Sequence, residues 1–337
     1  MILFSILLGI IFFFILQQQR AVLPTAFPAV IMSFGIVNVG VFHLPEHTTN
    51  WTYIFFHIST SLATAFFCQQ IWLVRVNRWK ETHFAAPQQA VTFGTWVAGG
   101  VILSLQWMYL YNFLLVSTVL FVVLGISWIL YLLHVGISAF RQQHSRTRAN
   151  GTYLLLTVST QSLVIFANHV FQVSDFWNKA LLMTGVIFYI GSVFFLFPSI
   201  QRSTWNGTYC ILHGALSITG VATLTAGVLD ENLLLPFWSI VTSLFIGIEL
   251  LEISRFTSRQ SFIASLQPNI TNWSRLFTFG MFYTFTFSMS FPQGFLSTIA
   301  EVVILVLPFV LVPLIVKEII ASGIAFFTKK KVFTESS

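Results

Sequence analysis

Apolar residues run along this chain in stretches of about 18 to 30, broken by short polar segments, and roughly 20 helical residues cross the core of a bilayer. That spacing predicts ten spans, at 27–44, 52–76, 90–108, 111–140, 151–172, 179–200, 205–229, 233–256, 272–292 and 296–327. The breaks are too short to hold a soluble domain. An earlier stretch, "MILFSILLGIIFFFIL", lacks the basic n-region and small-residue cleavage site of a signal peptide. It reads as an extra N-terminal anchor that either spans the bilayer or lies in its interface. The expected organisation is an anchor at 1–20, a ten-helix domain at 21–328 and a short basic tail at 329–337.

The polar positions inside these spans are ordered. On a 3.6-residue helix, positions three and four apart share a face. In "NWSRLFTFGMFYTFTFSMS" this puts Ser274, Phe277, Met281, Thr284 and Ser288 on one stripe, while Phe279, Phe282, Phe285 and Phe287 point elsewhere. Similar stripes run through Thr92, Thr95, Gly99 and Gln106 on the third span, and through Thr157, Thr160, Gln161, Val164 and Asn168 on the fifth. Ser217 is the matching hydroxyl on the seventh. Polar groups are costly against hydrocarbon, so these faces should meet protein or water. Both interhelical hydrogen bonding in a dry bundle and a neutral, uncharged conduit satisfy that requirement. The odd-numbered spans are also richer in glycine, which lets helices approach closely. This suggests odd helices inside and greasier even helices outside, though plain helix packing alone accounts for the glycines as well.

Composition agrees with a polytopic membrane protein: 56% of the 337 residues are hydrophobic, 8% are charged and the mean hydropathy is +0.84. The formal charge of +6 sits between spans, on alternate loops: Arg75, Arg78 and Lys80, then Arg141, Arg146 and Arg148, Arg202, Arg255 and Arg259, and finally Lys329, Lys330 and Lys331. The intervening loops, such as "PEHTTN" and "LDEN", carry almost none. The positive-inside rule then places both ends of the ten-span unit in the cytoplasm, as for a multi-pass plasma-membrane protein. Basic residues spread in this way form no nucleic-acid interface.

Intramembrane charge is scarce. Glu249 and Glu252 fall near the cytoplasmic end of the eighth span and are expected to form a structural ion-pair cluster with Arg255 and Arg259. Glu301 falls near the outer end of the tenth, and Arg275 is expected at the cytoplasmic interface. No odd span has an acid in its middle, and a lumen without carboxylates favours anions over cations. His57, His134, His169 and His213 lie in or near spans without the spacing of a two-helix haem site, and are expected to be packing histidines. Cys68 and Cys210 offer no disulfide framework or metal knuckle. GxSxG, HExxH, Walker A and Rossmann signatures are missing, so neither an enzyme nor a cofactor or metal site is expected.

Four segments in order resemble one family, the tellurite-resistance/dicarboxylate transporters, which include bacterial TehA and the plant slow anion channels. They are "FPAVIMSFGIVNVG" (27–40), "NGTYLLLTVSTQSL" (150–163), "TYCILHGALSITG" (208–220) and "WSRLFTFGMF" (273–282), all on odd spans. The resemblance implies an all-α fold of five helical hairpins around a central pore lined by the odd helices, assembled as a homotrimer. It also implies a nearly charge-free lumen gated by a ninth-span phenylalanine, which aligns with Phe277. Thr278 stands where the family has proline after the gate, and Phe34 stands where the family often has threonine, which would add a second constriction. The implied function is an anion channel or facilitative transporter for small inorganic or dicarboxylate anions. Proton-linked movement of a C4-dicarboxylate, sulfite or tellurite-related species, with His213 as proton carrier, is the alternative within the family. A haem-binding or sensory membrane protein is the alternative outside it.

Overall fold

A computed structural model describes residues 2–42, 48–84, 87–141, 150–196, 207–255 and 267–327. All regular structure among them is helical. Seven helices are long and apolar enough to cross a membrane, as a multi-pass membrane protein requires. Two further apolar helices, Ile2–Gln18 and Pro28–Val41, are shorter. The basic positions 146, 148, 202, 259 and 329–331, and the tail at 329–337, lie outside the described residues.

The chain divides into two compact units, Met1–His144 and Ser145–Ser337. The first holds α1 (Ile2–Gln18), α2 (Pro28–Ile36), α3 (Asn50–Arg75), α4 (Trp79–His83), α5 (Pro87–Thr92), α6 (Gly94–Tyr111) and α7 (Leu114–Arg141). Pro28 opens α2 at a position where its missing N–H costs nothing. The helix continues through a π turn, Val37–Val41, where buried Asn38 donates to the Thr52 carbonyl at 3.0 Å and to Gln106 Oε1 at 2.8 Å. A capping box between Thr49 and Thr52 starts α3.

The N-terminal anchor segment is helical and docks on α3. A Cβ on Gly9 would lie 2.5 Å from the Ser61 carbonyl oxygen, so the two backbones meet there. Ser61 Oγ donates to the Ser5 carbonyl at 2.9 Å, and the Ser5 hydroxyl bonds His57 Nδ1. Helix α3 itself is long but too polar to count among the seven. Its His57, Thr60, Ser61, Gln69 and Gln70 are spent on partners or turned inward: Gln69, for one, accepts from Leu23 N and donates to the Ala21 carbonyl.

The α3–α4 connection is pinned by His83, which is fully buried. Its Nε2 lies 2.7 Å from Gln70 Oε1, an acceptor, so Nε2 carries the proton and Nδ1 accepts from Thr25 Oγ1 at 2.8 Å. Burial pushes the His83 pKa down to about 4. Between pH 6.5 and 4 the unfolded chain therefore takes a proton that the folded chain refuses. The stability this histidine contributes is full above pH 6.5 and is lost as pH falls through that window. Thermal unfolding midpoints of wild type and His83→Asn, measured from pH 7.5 to 4, should converge as pH falls; parallel curves would count against it.

The second unit holds α8 (Leu155–Val170), α9 (Asp175–Leu196), α10 (Ile211–Ala226), α11 (Glu231–Arg255), α12 (Ile270–Phe287) and α13 (Phe295–Phe327), with single 3-10 turns at Gly151–Leu154 and Gly207–Cys210 leading into α8 and α10. Asn150 and Asn269 start their helices by accepting from the backbone N–H two residues on.

Within each unit, buried and exposed spans alternate. In the first, the apolar stretch of Gln89–Tyr111 is 67% buried and that of Leu114–Ile137 is 17%. In the second, Gly151–Val170 and Gly207–Ala226 are each 72% buried, against 22% for Asp175–Leu196 and 28% for Asn232–Ser254. Glycine usage follows the same division. Gly35, Gly99, Gly151, Gly214 and Gly220 sit at close helix contacts, whereas Gly125, Gly191, Gly247 and Gly323 on the exposed helices have open space where a Cβ would go. The glycine excess of the odd spans is thus used for close packing.

Candidate functional site

Helix α12 carries the candidate gate. It runs unbroken from Ile270 to Phe287 and buries nearly its whole middle. Its phenylalanines are tied to other rings, with one exception. Phe279 and Phe282 pack on Phe245, with centroids 5.1 and 4.5 Å away; Phe285 lies 5.9 Å from Phe237 and Phe287 6.1 Å from Tyr283. Phe277 is buried at 4% exposure, yet it has no ring contact among the described residues. Met281, on the same stripe, is buried; Ser274 and Thr284 are half-buried and Ser288 is exposed. Thr278, on another face, fills the gap left by Gly214 on α10 and donates to the Arg275 carbonyl.

Three of the expected lining hydroxyls are bonded to their own helices. Thr284 donates to the Gly280 carbonyl and Ser217 to the His213 carbonyl, both at 2.8 Å, and Thr160 to that of Leu156 at 2.7 Å. Such back-bonding satisfies the hydroxyl donor within the helix.

Two predicted lining residues have another use. Thr157 donates to the Gly185 carbonyl at 3.1 Å and Gln161 Nε2 to that of Leu182 at 3.2 Å, both on α9. Gly185 is what admits them, since a Cβ there would lie 2.2 Å from Gln161 Nε2. In the first unit, Thr92 and Thr95 are buried and bond within their own turns, and Gly99 lies against Pro28 of α2. Phe34 packs edge-on to Phe55 with centroids 5.5 Å apart.

A charged cluster lies beside the gate helix. Glu249 and Glu252 of α11 pair with Arg275 of α12, which touches Glu249 directly and Glu252 at 3.5 Å. This differs from the expectation that Arg255 and Arg259 would be the partners; the Arg255 side chain and Arg259 lie outside the described residues. The Arg275 side chain is 19% exposed and lies over the Phe279 ring. Residue 275 is about 200° from residue 277 around the helix, so the charge and the unpaired ring occupy different faces.

His213 of α10 is packed among rings, as expected, but its polar atoms are not satisfied. It is fully buried, and neither ring nitrogen has a hydrogen-bond partner. Its edge faces the Phe245 ring, and Nε2 lies 3.9 Å from Glu249 Oε1, which also lacks a partner. The other histidines are ordinary by comparison: His57 bonds Ser5, and His169 Nδ1 donates to the Ile165 carbonyl at 2.8 Å. No three metal-ligating side chains gather among the described residues.

No family model matches the chain, and no curated protein matches it significantly.

Proposed function

We propose that this protein conducts small anions through a neutral, hydroxyl-bearing conduit that Phe277 closes. The observation that carries the reading is the state of Phe277, the one phenylalanine of α12 that is buried and unstacked, on the stripe with Ser274, Met281 and Thr284. A ring without aromatic partners gives up less on changing rotamer than Phe279 or Phe282, each of which would leave a ring pair worth roughly 1 kcal/mol beyond its buried area. The wall supports anions by lacking carboxylates, since Glu249 and Glu252 face Arg275. With donors spent on backbone carbonyls, preference should follow ease of dehydration more than tight binding. The resemblance of four odd segments to the tellurite-resistance/dicarboxylate transporters points the same way.

A second reading is favoured by His213. The cluster of two carboxylates and one guanidinium carries one net negative charge in a buried place, and a single proton shared with His213 would neutralise it. Proton-linked anion movement would use that site.

One experiment separates these readings. In a bilayer with a potassium chloride gradient, the reversal potential of the conduit should lie near that of chloride and ignore a superimposed pH gradient. A reversal near that of potassium would overturn the anion reading. A reversal that follows the pH gradient in wild type and loses this in His213→Ala would establish the proton-linked one.

A further inference from the structure

The first unit holds a cavity of about 610 Å³, within the usual size range of small-molecule sites. Its floor is Pro28 and Ile31 of α2 with Gly99 and Gly100 of α6. Its sides come from α3 and α7, and the lining residues Phe67 and Leu130 are 65% and 61% exposed. The mouth therefore opens sideways between α3 and α7, toward the hydrocarbon that surrounds them.

The cavity is graded from end to end. Ala63, Leu103, Val123 and Leu124 make one end aliphatic. Gln70, Trp79, Tyr131 and His134 gather at the other. At that end the donors of Trp79 and Tyr131 are already used, on Gln70 Oε1 at 3.1 Å and on the Val91 carbonyl at 2.9 Å. Gln70 Nε2 is not: the residue is 8% exposed, and this nitrogen is buried without a partner. An unmade hydrogen bond on a buried amide costs about 1 to 3 kcal/mol, so a ligand that supplies an acceptor oxygen recovers it.

The same end carries positive charge. Arg75, Arg78 and Lys80 are exposed, with Glu81 the one acid among them, and none forms an ion pair with a described residue. Arg75 is five residues past Gln70 on α3, about 7.5 Å along the axis. That separation matches a ligand whose carbonyl lies deeper than its charged head.

We propose that this cavity takes one acyl chain of an acidic bilayer lipid, entering between α3 and α7, with Gln70 Nε2 donating to an ester carbonyl and Arg75, Arg78 and Lys80 holding the anionic headgroup. The volume suits one chain and not a whole diacyl lipid, so the second chain stays in the bilayer. The site owes nothing to Phe277 and stands whether or not the chain conducts anions.

Native mass spectrometry of the full chain, released from mixed phosphatidylcholine and phosphatidylglycerol, tests this. Wild type should retain one phosphatidylglycerol per chain, at least tenfold in preference to phosphatidylcholine. Ala63→Phe, which fills the aliphatic end, should lose retention of both lipids. The exposed triple change R75Q/R78Q/K80Q should keep the unfolding midpoint and lose the preference for the acidic lipid. Equal retention of the two lipids by wild type, or a preference unchanged in the triple variant, overturns the proposal.

Discussion

Phe277→Ala should raise chloride current through a reconstituted bilayer at least tenfold over wild type, with the three anions ordered by ease of dehydration: nitrate, then chloride, then malate. The expectation rests on what the ring lacks. A phenylalanine buried for packing interlocks with neighbours, and its truncation leaves a cavity costing about 3 to 5 kcal/mol without opening a path. Phe282 is that kind: it is fully buried and stacked on Phe245. Phe282→Ala should lower the unfolding midpoint and leave current where it was. Phe277 has no ring to hold it and shares its stripe with Met281 and Thr284. If a folded Phe277→Ala protein carries no more current than wild type for any of the three anions, the gate is wrong and a coupled carrier takes its place.

Arg275→Leu should destabilise the second unit by about 3 to 5 kcal/mol. Two carboxylates, with side chains 12% and 11% exposed, would then face each other with no cation between them. Removing one member of a buried ionic group costs more than the group contributes, because the remaining charges are stranded in a poor dielectric. Adding Glu249→Gln and Glu252→Gln should restore most of the unfolding midpoint. Arg275→Lys should fall between, since an ammonium lacks the planar fork that reaches both acids. A midpoint unmoved by Arg275→Leu would mean that water already solvates the cluster.

Much of the helical layout is legible in the sequence because hydropathy runs are local. The expected spans at 111–140, 179–200 and 233–256 coincide with helices at Leu114–Arg141, Asp175–Leu196 and Glu231–Arg255 to within a few residues. Span 52–76 is helical too, but its polarity makes sense only with its partners: Ser5 for His57, and the 21–23 backbone for Gln69. That Phe277 and Met281 share one face of α12 could be read from three- and four-residue spacing. Which rings pair could not, since Phe245 meets Phe279 and Phe282 only through the rotation of α11 against α12. The same cause hid the charge cluster, whose Arg275 and Glu249 stand 26 residues apart while Arg255 and Arg259 looked nearer. The bonds from Thr157 and Gln161 to α9 could not be read either, because the gap that admits Gln161 is made by Gly185, on another helix.

The seam between α1 and α3 sets an order of events during synthesis. Ser5 and the close approach at Gly9 wait for His57 and Ser61, 52 and 56 residues further along the chain. At about 5 to 20 residues per second of translation, that is a delay of roughly 3 to 10 seconds. The contacts that fix α1 in the first unit therefore form only after α3 has been made.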